Sequence, residues 1–461
     1  MGLDLATVNV IQLGVGFFFN FFAFNSQGFI EEPVIDSLAD RGSIGKHSGY
    51  YSLSIIYAVF TLANFVAAPL VEILKPKWAM VIGGLCYAAF QAGFLWLNQT
   101  YLFISSGLLG FGAAILWTGQ GTYLSQNCTE KTTGRNSAML WALSQASLAG
   151  GGIFLFIVFH QSSTTDNISD STVHLLYACF TILTLVAVFI LALLRTPPKL
   201  DKPVQPIVGY GELMVSTFKL MLTKKMVLLA FVFAYTGVEQ SFWTGIYPTC
   251  ISFTQRLGKN TNSLLALNSI AAGLGSMLAG LLFGILGDRT RKIGRDSIVF
   301  LGCCIHLLVF VGVYINFPAD ASLHKTNATG IIEPNVILAL ICGGFLGFGD
   351  ACWNTQIYSL LCDIYPTKSS QAFALFKFYQ SALSCAAFFY SSMIYLTTHL
   401  AILVVTSLIA AVCYFGVERM AREIPEETST PSSIVANLTD REYSEPFPEP
   451  PEDAQFGRTY L

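Results

Sequence analysis

The sequence predicts an all-α, polytopic membrane protein with twelve transmembrane helices in two similar sets of six. Three observations carry this. Twelve apolar stretches are long enough to cross a bilayer, which takes about 20 residues each. Only 11% of the 461 residues are charged, against about 25% in soluble domains. A helical hairpin from Gly107 to Gly152 returns from Gly344 onward.

The stretches fall at 8–30, 49–72, 78–97, 100–125, 136–160, 173–195, 225–251, 262–287, 296–316, 335–362, 369–392 and 395–418. The first is too long for a cleavable signal and lacks a basic leader. The longest internal link, Thr196 to Lys224, is rich in proline at its start and separates the sixth stretch from the seventh. The hairpin repeats about this link. Gly110-Phe111-Gly112 returns as Gly347-Phe348-Gly349, Trp117 and Gln120 as Trp353 and Gln356, and Gln145 as Gln380, at an offset close to 236 residues. A unit recurring half a chain later marks two similar halves. The expected organisation is a six-helix bundle over 1–195, a linker over 196–224, a second bundle over 225–419 and an acidic disordered tail over 420–461.

Composition excludes several classes. With 53% apolar residues and a mean hydropathy of +0.58, much of the surface must face lipid, so the bilayer is the first partner. A net charge of −3 and the absence of a basic run argue against nucleic acid. Ten of the eleven cysteines fall in apolar stretches and read as small hydrophobes. No nucleophile elbow, phosphate loop or paired metal ligands occur, so neither an enzyme, a metal site nor a cofactor is expected.

Charge predicts orientation. With the N terminus inside, nineteen Lys and Arg fall on inner links and the tail and five on outer links, which places both termini in the cytoplasm. Asn167 and Asn327 are then the candidate glycosylation sites on outer links.

Glu239, His306, Asp350 and Lys377 lie in the middle of apolar stretches, all in the second half. A charge at mid-membrane costs about 2.5–3.5 kcal/mol on insertion scales, so each should face protein or water. Glu239, Asp350 and Lys377 are candidates for one cluster binding a small solute or a proton, or equally for a structural ion pair with one neutral acid. His306 reads as an interhelical donor. Trp117, Gln120, Gln145, Trp353, Gln356 and Gln380 lie near the same depth as candidate cavity walls or interhelical glue.

The link after the eighth stretch carries Gly284, Asp288, Arg289, Arg291 and Lys292. It resembles the G-x-x-x-D-R-x-G-R-K signature of the major facilitator superfamily, a cytoplasmic latch in which Gly284 allows close helix approach and Asp288 pairs across the gap. The first-half counterpart is degenerate, with Glu72 where Asp288 would stand. The resemblance implies the six-plus-six major-facilitator fold, in which the seventh and tenth helices line the central cavity and the eleventh flanks it. Ser48-Gly49-Tyr50-Tyr51, Leu116-Trp117-Thr118-Gly119-Gln120-Gly121, Thr133-Gly134-Arg135-Asn136-Ser137 and Ala234-Tyr235-Thr236-Gly237-Val238-Glu239 are similar to segments of the uncoordinated-ninety-three-like family, a divergent branch of that superfamily. This resemblance implies two functional classes. One is a secondary transporter of a small organic solute working by alternating access. The other is a non-transporting accessory protein that regulates or escorts another membrane protein, such as an ion channel or receptor.

Overall fold

The computed structural model describes residues 4–40, 44, 48–129, 131–161, 170–198, 209–258, 261–285, 294–391 and 393–422. It is almost wholly helical. The first half holds α1 (Leu5–Asp40), α2 (Ser48–Leu74), α3 (Pro76–Gly93), α4 (Gln99–Gln126), α5 (Thr133–Gln161) and α6 (Asp170–Ala192). A short helix, α7 (Tyr210–Met221), stands in the linker. The second half holds α8 (Lys224–Ser241) continued by α9 (Tyr247–Phe253), then α10 (Thr261–Ile285), α11 (Arg295–Asn316), α12 (Val336–Ile364), α13 (Ser369–Ser391) and α14 (Leu396–Arg422). Twelve spans are long and apolar enough to cross a membrane, α8 and α9 forming one of them. Residues up to Glu418 pack as one compact unit.

The twelve spans fall where the apolar stretches predicted, within a few residues. Two features differ. Helix α1 runs 36 residues to Asp40, beyond its apolar stretch. The linker is not all loop: α7 buries Thr217 and Leu220 and leaves Val215 and Phe218 exposed. It rides on α2, with Phe218 stacked on Phe65 at 5.6 Å between ring centroids. The prolines ahead of it hide this one-sided pattern in the sequence.

The repeat is visible atom by atom. Asn98 caps α4 by accepting from the Tyr101 N–H at 2.8 Å, and Asn335 caps α12 by accepting from the Leu338 N–H at 3.0 Å. An Asn side chain there satisfies a helix N–H that would otherwise lack a partner. Gly110 lies against the backbone of α2 at Ile56, and its repeat Gly347 against the backbone of α10 at Ala272. With no Cβ at these points the helices close to backbone contact. The two link turns match as well. Lys75 before α3 (φ 68°, ψ 149°) and Gly294 before α11 (φ 93°, ψ 149°) share one positive-φ geometry.

The seventh span is interrupted. Residues Phe242–Ile246 form a π-helical turn between α8 and α9. Pro248 has no N–H to give the preceding turn, and the register adjusts around it. Two hydroxyls bond back along the same segment: Thr244 donates to the Gln240 carbonyl at 2.7 Å and Thr249 to the Gly245 carbonyl at 2.8 Å.

Candidate functional site

A cavity of about 330 Å³ lies between the halves. Its walls come from the middle of α4, α5 and α12 and from the stretches of α1, α2, α8–α10 and α13 that lead to the face opposite the N terminus, at Gly28, Leu53, Pro248 and Phe388. The π turn faces it through Trp243, Thr244 and Gly245. Most of the wall is aromatic or aliphatic, so the few polar groups are the informative ones.

Asp350 and Lys377 both line this cavity, with Trp117, Gln145 and Gln380. Asp350 Oδ1 accepts from Asn354 Nδ2 at 2.9 Å, and Oδ2 accepts from Gln145 Nε2 at 3.4 Å. Lys377 Nζ donates to Gln380 Oε1 at 2.7 Å. It also sits over the Trp117 ring at 4.3 Å and the Phe376 ring at 4.5 Å. An ammonium over aromatic faces keeps part of its lost solvation through the ring quadrupoles.

Glu239 does not line the cavity. It is fully buried, with Asp350 as its charged neighbour. Its other neighbour is His306, whose Nε2 lies 3.6 Å from Glu239 Oε1. His306 Nδ1 is 2.5 Å from the Tyr235 hydroxyl and Nε2 is 3.2 Å from the Leu346 carbonyl. A neutral ring with its proton on Nε2 satisfies both contacts, accepting from Tyr235 and donating to Leu346. His306 thus ties α8, α11 and α12 together.

Three other residues singled out in the sequence also lie outside the cavity lining. Gln120 Oε1 accepts from the Tyr358 hydroxyl at 3.0 Å. Trp353 packs on Tyr235 at 5.0 Å. Gln356 turns to Thr355 at 3.0 Å, and its carbonyl accepts from the Tyr414 hydroxyl. The three are spent on contacts within the protein, Gln120 in a bond between the halves beyond one end of the cavity. Conversely Asn25, Tyr57 and Asn268 line the cavity. Their signal was a polar side chain inside an apolar stretch, diluted by many similar ones.

The opposite end of the cavity, toward the N-terminal face, is filled by contacts between the halves. Beyond the Gln120–Tyr358 bond, the Phe373 ring packs on Gly121. The Ser370 hydroxyl donates to Glu72 Oε1 at 2.6 Å, and Thr133 donates to Asp363 Oδ1 at 2.9 Å. Asp363 is also paired with Arg295, which reaches Glu418 at 3.0 Å. Glu72, the residue of the degenerate first-half link, therefore bridges to the second half. Arg135 donates to the Thr7 hydroxyl at 2.7 Å. Hydrogen bonding from Thr7, with Arg135 nearby, holds the Asp4 carboxyl below the usual carboxylate range.

Of the latch residues, Asp288, Arg289 and Arg291 lie outside the described residues, as does Asn167. Gly284 faces Met139 at an ordinary van der Waals distance. The close approach of α10 to α5 is made instead by Gly280, where a Cβ would come 2.8 Å from the Ala138 carbonyl oxygen. Asn327 is exposed in the link between α11 and α12, where its backbone carbonyl accepts from Arg256 Nε at 2.6 Å.

Residues 40–415 match the model of a family described as "Ion channel regulatory protein UNC-93". The chain is 37% identical to the UNC93-like protein MFSD11 of Xenopus laevis, covering 89% of this chain and 96% of the relative. The chain belongs to the UNC-93 family. It is also 24% identical to the human protein unc-93 homolog A, covering 94% of this chain and 97% of that one. Among solved structures, the major facilitator superfamily transporter FucP in its outward conformation aligns over 91% of this UNC-93 family chain and 99% of its own length, with a TM-score of 0.61 at 15% identity. A mutant of the nucleoside transporter NupG aligns with a TM-score of 0.57 at 12% identity, over 89% of this chain and 99% of that one. These likenesses establish the major-facilitator fold for this multi-pass membrane protein.

Proposed function

We propose that this protein is a secondary transporter of a small organic solute, working by alternating access between its halves at 1–195 and 225–419. One observation carries the reading: Asp350 and Lys377 face a single cavity that leads to one face while polar and aromatic contacts close the other. Two ionisable groups in the membrane interior are costly unless they serve a ligand or each other. Here they make no ion pair within 4.0 Å among the described residues. The closed face is taken as cytoplasmic from the excess of Lys and Arg there, and Asn327 on the opposite face as a glycan acceptor. The halves are proposed to rock about the Gly152 and Gly280 contacts between α5 and α10, opening the cytoplasmic side as the bonds of Glu72 and Asp363 break.

The alternative is an accessory subunit for another membrane protein, supported by the family's description. Uptake into proteoliposomes separates the two. A panel of labelled carboxylates, amines, sugars and nucleosides is offered to the wild-type protein and to Asp350→Asn and Lys377→Ala variants. Transport predicts accumulation of at least one solute and its loss in both variants. No uptake of any solute by correctly folded wild-type protein favours the accessory role.

A further inference from the structure

The two charges of the cavity are unequally served by the protein. Asp350 has a hydrogen bond to each oxygen from within the protein, from Asn354 and Gln145. Lys377 is the opposite case. An ammonium has three N–H donors. One reaches an oxygen, Gln380 Oε1, the faces of Trp117 and Phe376 lie against it with Tyr358 at 5.8 Å, and the Asp350 carboxyl acts on it only from beyond ion-pair distance. Rings attract the charge without accepting its protons as oxygens do. Lys377 is also only 4% exposed, so bulk water does not make up the deficit. A second donor is idle further along the same wall: the Trp243 indole N–H, at the π turn, is buried without an acceptor among the described residues.

The unmet demand of this cavity is therefore for negatively charged oxygen, next to a wall of aromatic and aliphatic carbon. We infer that the cavity takes a small organic monocarboxylate, its carboxylate on Lys377 and its hydrocarbon body against that wall. This rests on reading the cavity as a solute site. A single charge is specified because Lys377 is the only Lys or Arg among the described residues of the lining. A dianion would leave one charge unpaired in a low-dielectric space already holding Asp350 and Glu239. A cation would stand in one cavity with the Lys377 ammonium, and each Asp350 oxygen already accepts a hydrogen bond from the protein.

Tryptophan fluorescence tests this directly, because Trp117, Trp141 and Trp243 line the cavity and are three of the six tryptophans. Purified full-length protein in nanodiscs is titrated with 3-phenylpropionate, its neutral isostere 3-phenylpropionamide, and 2-phenylethylamine. The expected result is saturable quenching by the acid, with a Kd at least tenfold below that of the amide. Lys377→Gln should bring the acid to the level of the amide. If Lys377→Gln does not fold, as judged by gel filtration and melting, the wild-type acid-to-amide ratio decides. Equal affinities for acid and amide, or preference for the amine, overturn the monocarboxylate and leave the solute reading standing. Binding of none of the three overturns it as well, and the uptake panel then judges the transport reading on its own.

Discussion

At the scale of single residues, what decides a role is which face of its helix a side chain occupies. Asp350 and Gln356 stand six positions apart on α12, yet only Asp350 meets the cavity. The sequence marked both by the same signal, a polar group in an apolar stretch, and that signal carries no facing. Asp350 and Lys377 were legible because a charge in hydrocarbon needs a reason. That Glu239 lies outside the cavity lining was not legible, since depth along a span does not reveal which neighbour a helix face meets. Glycines give the clearest residue-scale test. Gly347 lies against the Ala272 carbonyl, so a methyl group there must push α12 off α10. Gly347→Ala should cost about 1–3 kcal/mol, seen as a lower melting temperature in detergent. Gly284→Ala, with its nearest neighbour atom 3.6 Å from the added carbon, should be close to neutral in the same assay.

At the scale of elements, helix existence was legible and helix ends were not. Apolar length fixes a span, but caps and link turns follow local chemistry that composition does not reveal. Two predictions belong here. Lys75 holds a positive φ that its counterpart Gly294 adopts freely, and a non-glycine residue there carries strain. Lys75→Gly should therefore stabilise the fold by about 1 kcal/mol, read from the midpoint of denaturation. At the start of α1, Asp4 accepts from the Thr7 N–H at 3.0 Å. Loss of such a cap costs about 1 kcal/mol. Because the folded carboxyl sits below its ordinary value, this contribution is present above the ordinary carboxylate range and fades as pH falls through the folded value. Asp4→Ala should lower the melting temperature at pH 7, and its difference from wild type should vanish in strong acid.

At the scale of the whole molecule, the duplication was the most legible feature and the asymmetry imposed on it the least. The repeated helices α4 and α12 share caps, glycines and tryptophans, yet the charged site occupies only the second copy. Where α12 carries Asp350, α4 carries Ala113, and where α13 carries Lys377, α5 carries Ala142. The closing contacts join residues more than 200 positions apart, Thr133 with Asp363 and Glu72 with Ser370, and no local pattern predicts such pairs. If they hold one face shut, Glu72→Gln combined with Asp363→Asn should loosen it. Maleimide labelling of the buried thiols of Cys128 and Cys362, on that side, should then rise severalfold, as quantified by peptide mass spectrometry, while Cys250 near the other face stays protected.

The central claim is that one cavity opens to the two faces in turn, and electron–electron resonance distances in a cysteine-depleted, reconstituted protein test it without knowledge of the solute. One spin-label pair joins the exposed positions Gln99 and Lys325 on the open face. A second joins Lys75 and Lys368 on the closed face. Alternating access predicts two populations in each pair, with the Glu72→Gln, Asp363→Asn background shortening the first distance as it lengthens the second. A single unmoved population in both pairs, in wild type and variant alike, would contradict it and describe a rigid scaffold instead.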